Sequence, residues 1–578
     1  MKNLEIARIF YEMADILEMQ GVEWKPRAYR RAAKAIESLT EDIEVLWHRG
    51  GLKTLEEIPG VGERLAKKIE EFLKTGKIKE YEQLKRMVPF QLHEIMSIPG
   101  MGPKKAKRLY KELGVKTIKD LEKAVKEHKI AALPGFGEKS EKDILRGIQL
   151  YKASKGRMLL GRAWFIANEI IEKLSVLKEV KKISPAGSLR RMKETIGDID
   201  ILVISTNPMK VMNFFTSMPD VKEILAKGPT KSTVILRSGI QADVRVLKPE
   251  SWGSALQYFT GSKEHNIALR RIAIKKGYKL NEYGLFKGKK QIAGKTEEEI
   301  YRKLGLQWIP PELRENRGEI EAAQKKALPK LVDYKDIKGD FHVHTKWSDG
   351  DNTIKEMALA AKQLGYEYIC ISDHSKSEPL AHGLDEKKLL EQIKEIRKID
   401  RQLKGIKILA GNEVDILADG SLDLSDSVLK KLDIVIASVH SGFKMPKQKM
   451  TKRIIKAIEN KYVDILGHPT GRIINERPPY AVDLEAIFQV AKDRRVHMEI
   501  NSFPDRLDLN DTAIMEAKKY GLRFAINTDA HNADQLKLIK FGVATARRGW
   551  AEKKDIINTY SLKQLGRFFR KLKNRIGE

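Results

Sequence analysis

The chain has 578 residues and a formal net charge of +30, which excludes a single small domain and an acidic protein. At about 100–200 residues per domain, this length predicts three to five domains. No run of about 18 apolar residues occurs, so we expect no membrane-spanning helix and no membrane partner. Cys370 is the single cysteine, so an intramolecular disulfide is excluded. Together with an N-terminus unlike a signal peptide, this favours the cytoplasm.

The excess of basic residues leaves two interpretations open. Lysine and arginine number 109, against 79 aspartate and glutamate residues. Such an excess neutralises phosphates, which makes nucleic acid a candidate partner. A lysine-rich thermophilic proteome would give a similar composition, because charged residues make up 33% of the chain.

Three Pro-Gly-x-Gly turns occur in the N-terminal part, at residues 58–62, 98–102 and 133–137. Each precedes a stretch of helical periodicity, and the paired glycines let backbone N–H groups approach a phosphate closely. The pattern resembles the helix-hairpin-helix motif, which holds DNA backbones without reading bases. The alternative is a plain connection between helices. The residues predicted to contact DNA here are Gly60, Gly62, Gly100, Gly102, Lys104, Gly135 and Gly137.

A different pattern begins near residue 183 and predicts a nucleotidyl-transfer site. Asp198 and Asp200 lie two residues apart at the start of a buried strand, so both carboxylates face one side. Asp243 lies in a second predicted strand. Three carboxylates on adjacent strands suit two Mg²⁺ ions about 3.5–4 Å apart. The alternative is a surface Asp-x-Asp at a strand end. The residues predicted to hold the outer phosphates of a nucleotide are Gly187, Ser188 and Arg191.

The motif GSLRR at residues 187–191, followed by GDID at 197–200, resembles the palm signature of the X family of DNA polymerases. YFTGS at residues 258–262 resembles the nucleotide-binding turn of that family. The resemblance covers roughly residues 1–315 and implies an α/β nucleotidyltransferase palm, an α+β thumb, and gapped or primer–template DNA and dNTPs as substrates. It makes Asp198, Asp200 and Asp243 catalytic metal ligands. Further implied contacts to nucleotide or DNA are Arg157, Tyr258, Phe259, Gly261, Asn266 and Arg270.

Lys68 follows the first turn at the position where this polymerase family has a Schiff-base lysine. That lysine removes a 5′-deoxyribose phosphate, so the resemblance implies a lyase activity with Lys68 as its nucleophile. Lys68 lies on a helix full of charged residues, and a solvated helix face would have the same sequence.

Eight of the twelve histidines fall between His342 and His531, and six of them lie at the ends of predicted strands that alternate with helices. This alternation predicts a parallel sheet or barrel, in which such strand ends gather at one face. Histidines and carboxylates in this arrangement predict a multinuclear metal site, whereas a lone histidine is more often structural. The predicted ligands are His342, His344, Asp349, His374, Glu413, His440, His468, Asp529 and His531.

The C-terminal part resembles the PHP domain, the polymerase and histidinol phosphatase superfamily, a distorted seven-stranded barrel with three metals. The resemblance implies Mn²⁺ or Zn²⁺ as the ions. It groups His342, His344, Glu413 and Asp529 around one ion, Glu413, His440 and His468 around a second, and Asp349, His374 and His531 around a third. The implied activity is a 3′–5′ exonuclease, with cleavage at abasic sites or removal of 3′-phosphates as further activities.

The sequence therefore predicts a multidomain, monomeric repair polymerase of the bacterial and archaeal X-family type, located at the nucleoid. The predicted domains are a helical N-terminal domain (1–85), a helix-hairpin-helix subdomain (86–152), a palm (153–250), a thumb (251–315), a linker (316–335) and a PHP domain (336–578). Two rival hypotheses remain: an RNA or small-molecule nucleotidyltransferase with a PHP phosphatase, and a DNA-binding scaffold with dead sites.

Overall fold

The computed structural model describes residues 2–37, 39, 42–86, 95–96, 98, 101–154 and 157–573. Two compact units are present: Met1–Gly156 with Ile473–Pro478, and Arg157–Arg472 with Pro479–Glu578. None of the helices in the described ranges combines the length and the apolar character that a membrane crossing requires.

The first unit is built from helices. They are α1 (Lys2–Met19), α2 (Lys25–Glu37), α3 (Ile43–Glu56), α4 (Glu63–Thr75), α5 (Lys79–Arg86), α6 (Pro103–Leu113), α7 (Ile118–Lys126) and α8 (Glu138–Ser154). Gly62 and Gly102 are the extended N-caps of α4 and α6, and Gly76 and Gly114 end those helices in the left-handed conformation. Apolar residues at helical spacing, Phe10 among them, form one shared core.

The second unit begins with a five-stranded sheet. Its strands are β2 (Val180–Pro185), β4 (Asp198–Ser205), β5 (Val221–Lys227), β6 (Lys231–Leu236) and β7 (Gln241–Leu247), and they lie in the order β2-β4-β7-β6-β5. Strand β1 (Met158–Leu159) pairs with β3 (Thr195–Ile196). The helices are α9 (Leu160–Ser175), α10 (Gly187–Arg190) and α11 (Pro208–Thr216). Strands β4 and β7 are parallel, and Asp200 lies directly opposite Asp243. The register therefore brings together carboxylates that are far apart in the sequence.

A smaller α+β segment follows. It contains α12 (Trp252–Thr260), α13 (Lys263–Lys275), the antiparallel strands β8 (Lys279–Asn281), β9 (Gly284–Lys287) and β10 (Lys290–Ala293), then α14 (Glu297–Lys303) and α15 (Glu319–Gln324). Ile320 and Ala323 belong to the core of this segment although they lie in the predicted linker, and Val332 belongs to the core of the following barrel. The predicted domain boundaries stay predictions.

The C-terminal part is a seven-stranded parallel sheet whose strands follow chain order. They are β11 (Gly339–Val343), β12 (Tyr368–Ile371), β13 (Lys407–Asp415), β14 (Ile434–Ser438), β15 (Ile465–Leu466), β16 (His497–Asn501) and β17 (Phe524–Asn527). A bridge between Val343 and Ala530 joins the first strand to the residues after the last, so the sheet nearly closes. This confirms the predicted distorted barrel.

Helices surround this barrel. They are α16 (Ile354–Gln363), α17 (Glu386–Gln402), α18 (Asp426–Leu429), α19 (Lys447–Ile458), α20 (Leu484–Arg494), α21 (Asp511–Lys519), α22 (Ile539–Arg548), α23 (Leu562–Leu565) and α24 (Arg570–Lys573). The strand residues are buried almost throughout, as expected of parallel strands covered on both faces.

Candidate active sites

The glycine turns of the first unit leave backbone open to a ligand. Gly60 and Gly135 have positive φ of 73° and 75°, which explains why glycine occupies these positions. A Cβ atom added at Gly62, Gly102 or Gly137 would meet nothing within 4 Å, so the backbone there is accessible. These features fit the predicted phosphate contacts.

Two further predicted DNA contacts belong to the same turns. Lys104, in the first turn of α6, is exposed to solvent. Gly100 lies outside the described residues.

Lys68 does not carry a free amine in this structure. Its Nζ atom lies 2.6 Å from Oε2 of Glu80, and Lys68 is 21% exposed. Burial and the Glu80 carboxylate together raise the pKa of Tyr29 above its ordinary value. The predicted lyase nucleophile is therefore engaged by an acid that the sequence analysis did not single out.

The three predicted palm carboxylates gather at one end of strands β4 and β7. Burial first, and then the charges of Asp198 and Asp243, raise the pKa of Asp200 to about 7. Carboxylates whose negative charges repel one another in this way are suited to bind a divalent cation, which offsets the repulsion. A Cβ atom at Gly187 would lie 2.6 Å from Oδ2 of Asp200, so only glycine allows this backbone to approach the carboxylate so closely.

A cavity of about 370 Å³ is lined by Arg157, Ser188 and Arg191, whereas none of the three palm carboxylates lines it. Arg157 donates from Nε to Oγ1 of Thr195 at 2.9 Å. Arg191 donates from Nε to Oε1 of Glu315 at 3.0 Å. Ser188, Arg191 and Arg157 are thus brought to one pocket, whereas Gly187 does not line it.

The predicted nucleotide-binding turn packs tightly around its own residues. The rings of Tyr258 and Phe259 meet edge to face, with centroids 5.1 Å apart. Asn266 donates from its side-chain amide to the carbonyl oxygen of Tyr258 at 2.7 Å. Arg270 donates to the carbonyl oxygen of Asn266 at 3.3 Å. Gly261 has a φ of 66°, in the region that favours glycine.

The nine predicted PHP ligands converge at one face of the barrel. Ligand atoms lie close enough to share an ion in His344–Asp349–His374–His531, in His342–His344–Asp529 and in His374–Glu413–His440. Nε2 of His468 lies 2.9 Å from Oε1 of Glu413. Glu413 therefore contacts several histidines, as the resemblance implies for a shared carboxylate.

Several of these buried ligand atoms lie close to other ligands but make no hydrogen bond within the described part of the chain. Among the described residues, no hydrogen bond is made by the buried Nε2 of His342, both ring nitrogens of His344, or Oε2 of Glu413. Buried polar atoms are normally satisfied, so these fit metal coordination. Burial, together with His531 and His374, lowers the pKa of His344 to about 3. Burial alone would raise the pKa of Glu413, but the neighbouring histidines, led by His342, hold it well below its usual value.

Supporting groups around the histidines were missed in the sequence. Oε1 of Glu499 lies 2.7 Å from Nδ1 of His342, and Oε2 accepts from the backbone N–H of His468 at 2.6 Å. Oδ1 of Asp415 lies 3.3 Å from Nδ1 of His440. Such carboxylates fix the orientation of ligating rings. An acidic residue within the buried strand HMEIN was the signal that could have found Glu499.

Residues outside the predicted ligand set also have defined places. Nε of Arg506 lies 3.7 Å from Oδ2 of Asp529, one of the predicted metal ligands. The ring of His497 packs edge-on against Phe569, and burial lowers the pKa of His497 to about 4.

The fold and these two sites define a class: a nucleotidyltransferase core of polymerase type joined to a metal-dependent phosphoesterase barrel. Four family models match parts of the chain. They are a helix-hairpin-helix domain (residues 1–78), a SAM-like helix-hairpin-helix tandem (92–149), the DNA polymerase beta thumb (255–315) and the PHP domain (340–503).

The chain is 38% identical to a DNA polymerase/3′-5′ exonuclease PolX from Bacillus subtilis (strain 168), over 99% of this chain and 100% of that protein. The chain therefore belongs to the family X DNA polymerases that carry a PHP domain. A probable phosphatase from Thermoanaerobacter sp. (strain X514) is 32% identical over 41% of this chain and 96% of that protein. A probable phosphatase from Caldanaerobacter subterraneus is 34% identical over 33% of this chain.

Proposed function

We propose that the chain adds deoxynucleotides to a primer 3′-hydroxyl in gapped DNA and degrades 3′ ends at a second site. The observation that carries the first activity is the convergence of Asp198, Asp200 and Asp243, with Gly187 close against Asp200 and the next residue, Ser188, lining a cavity together with Arg191. The second rests on the nine histidine and carboxylate ligands of the barrel. DNA as substrate puts the site of action at the nucleoid, in the cytoplasm, and a monomer is sufficient.

In the palm, the three carboxylates would hold Mg²⁺, which when bound lowers the pKa of the attacking hydroxyl and neutralises phosphate charge. The protein contributes the remaining steps through its own groups. Arg191 and Ser188 bind the outer phosphates, and charge that develops on them is met by fixed donors rather than by water. The Tyr258 turn orients the sugar, so the 3′-hydroxyl and the nucleotide are held for in-line attack.

In the barrel, the nine ligands would hold Mn²⁺ or Zn²⁺, which when bound activates water toward phosphorus. Glu499 orients His342, and Asp415 orients His440. Arg506, whose Nε lies 3.7 Å from Oδ2 of Asp529, would contact a phosphate of the substrate. The whole-chain similarity to a DNA polymerase/3′-5′ exonuclease supports this proposal over an RNA or small-molecule nucleotidyltransferase and over an inactive scaffold.

Removal of 3′-phosphates is a second candidate activity of the barrel. The relatives that match only this part of the chain are named probable phosphatases. Trimming of blocked ends at one site would prepare primers for extension at the other.

The test uses a 5′-labelled gapped duplex, with and without dNTPs, in Mg²⁺ or Mn²⁺. Asp198→Ala with Asp200→Ala is expected to abolish extension and leave 3′-end degradation. His342→Ala with His344→Ala is expected to abolish 3′-end degradation and to leave extension of clean primers. Extension of primers that end in a 3′-phosphate is expected to fail in this variant. Extension that survives the double aspartate change would refute the palm assignment.

A further inference from the structure

Arg548, at the end of barrel helix α22, reaches out of its own domain toward the polymerase core. Its guanidinium donates to the carbonyl oxygen of Arg191 at 2.8 Å and to Oε1 of Glu315 at 2.9 Å. It also donates to Oδ2 of Asp511 at 2.7 Å. The side chain is 5% exposed, so these contacts are made away from water and hold one geometry.

Arg191, the residue that receives this contact, is the predicted phosphate ligand of the nucleotide site. Its Nε donates to the same Oε1 of Glu315 that Arg548 contacts, at 3.0 Å. Its Nη1 donates to the carbonyl oxygen of Thr260, next to Gly261 in the nucleotide-binding turn. Arg548 thus fixes both the backbone and the carboxylate partner of Arg191.

The charges at this junction explain why two guanidinium groups lie together. Burial alone would raise the pKa of Glu315, but Arg548 and Arg191 lower it, so the carboxylate stays ionised between them. Asp511 is likewise shared, by Arg548 and by Arg317 at 3.1 Å. Because each acid serves two cations, the removal of one cation changes how firmly the acid binds the other.

Residues of this junction also line the cavity that contains Arg157 and Ser188. Asp511, Thr545 and Arg548 of the barrel face it together with Ser188 and Arg191 of the palm. The two domains are also in close contact nearby, because a Cβ atom at Gly161 would lie 2.6 Å from Cβ of Pro504. The barrel therefore forms part of the wall of the cavity that Ser188 and Arg191 line, the two residues to which the proposed function assigns the outer phosphates.

We propose that Arg548 is a positioning residue for the polymerase nucleotide site, holding Arg191 in the orientation that binds a nucleoside triphosphate. This rests on the proposed function of the palm, and it gives the barrel a role in nucleotide binding that is separate from its metal chemistry. Without Arg548, the Glu315 carboxylate and the carbonyl oxygen of Arg191 would each lose a buried donor. The Arg191 guanidinium, which binds Glu315, would then no longer be held in one orientation at the cavity.

The test measures single-nucleotide incorporation on a clean gapped primer, with KM for dNTP and kcat determined separately. Arg548→Met is expected to raise KM for dNTP by about ten-fold, which corresponds to ~1.4 kcal/mol of binding free energy. Arg548→Lys, which retains one cationic contact, is expected to lie between Arg548→Met and wild type. DNA affinity and the rate of 3′-end degradation should change by less than about two-fold in both.

Arg547→Met is the matched control. Arg547 lies on the same helix and pairs with Glu312 at 2.7 Å across the same domain border, but it contacts neither Arg191 nor Glu315. It should therefore leave KM for dNTP near the wild-type value.

Equal KM values for Arg548→Met and Arg547→Met would overturn the proposal. If Arg548→Met does not fold, the same comparison is made with Arg548→Lys and Glu315→Gln, for which an unchanged KM would overturn it equally. Extension that survives Asp198→Ala with Asp200→Ala would instead refute the palm site itself, so the two failures are distinguishable.

Discussion

Nδ1 of His342 lies 2.7 Å from Oε1 of Glu499, a wholly buried carboxylate that is not among the predicted metal ligands. The other oxygen of Glu499 accepts from the backbone N–H of His468. One side chain therefore supports two ligand-bearing strands and turns the Nε2 atom of His342 toward Glu413, 3.3 Å away.

Glu499→Gln is expected to lower the metal affinity of the barrel by about 10–100-fold, because the ring of His342 loses its charged partner. The measurement is metal content after dialysis against graded chelator, together with the rate of 3′-end degradation. Asp464→Asn is the matched control, because Asp464 is also buried in the barrel but pairs with Lys571. An affinity that is the same in both variants would contradict a special role for Glu499.

Glu413→Gln is expected to remove more than one metal ion per chain, because its carboxylate contacts His342, His374, His440 and His468. Asp349→Asn, at the edge of the cluster, is expected to remove one. The measurement is metal stoichiometry by elemental analysis of purified protein. Equal losses in the two variants would show that Glu413 does not bridge ions.

Glu80→Gln is expected to increase any borohydride-trapped adduct between the protein and 5′-deoxyribose phosphate DNA. An amine held in an ion pair cannot attack until the pair opens, and Lys68 is held 2.6 Å from Glu80. Lys68→Ala should abolish the adduct, while Lys67→Ala, an exposed neighbour paired with Glu63, should not. Trapping that persists in Lys68→Ala would assign the nucleophile elsewhere, and no trapping in any variant would dismiss the lyase.

Lys540→Met is expected to raise the thermal midpoint at pH 7. The Lys540 amine lies 4.9–5.4 Å from the ring centroids of Trp164, Phe165 and Phe541, and no carboxylate in the described part of the chain pairs with it. Burial, and then Lys537, lower the pKa of Lys540 from 10.5 to about 8. A shift of this size is worth up to about 3 kcal/mol, which the ring faces partly offset.

The pH dependence of this effect follows from the sign of the shift. The folded pKa lies below the unfolded one, so the unfolded chain binds more protons between them, and stability rises with pH. The destabilisation by charged Lys540 has its full size below the folded pKa and disappears as pH rises through the unfolded pKa. Melting of wild type and Lys540→Met at pH 7 and pH 10 checks this. A difference in thermal midpoint between the two proteins that is as large at pH 10 as at pH 7 would contradict this assignment.

The sequence determined those parts of the protein that depend on short-range spacing. Asp198 and Asp200 face one side because strand side chains alternate with a period of two. The histidines of the barrel follow predicted strands, and the carboxyl ends of parallel strands meet at one face. Glycine turns at Gly62 and Gly102 could be predicted because their backbone conformation is local.

Only the tertiary structure decided which distant groups support those residues. Glu499 is 157 residues from His342, and Arg548 is 233 residues from Glu315, so no local pattern connects them. Lys68 has the sequence of a nucleophile, yet its ion pair with Glu80 depends on how α4 and α5 pack. The spacing of residues along an element determines which face each side chain occupies. Burial and the choice of partner depend on how elements that are distant in the sequence pack together, and no local pattern shows that packing.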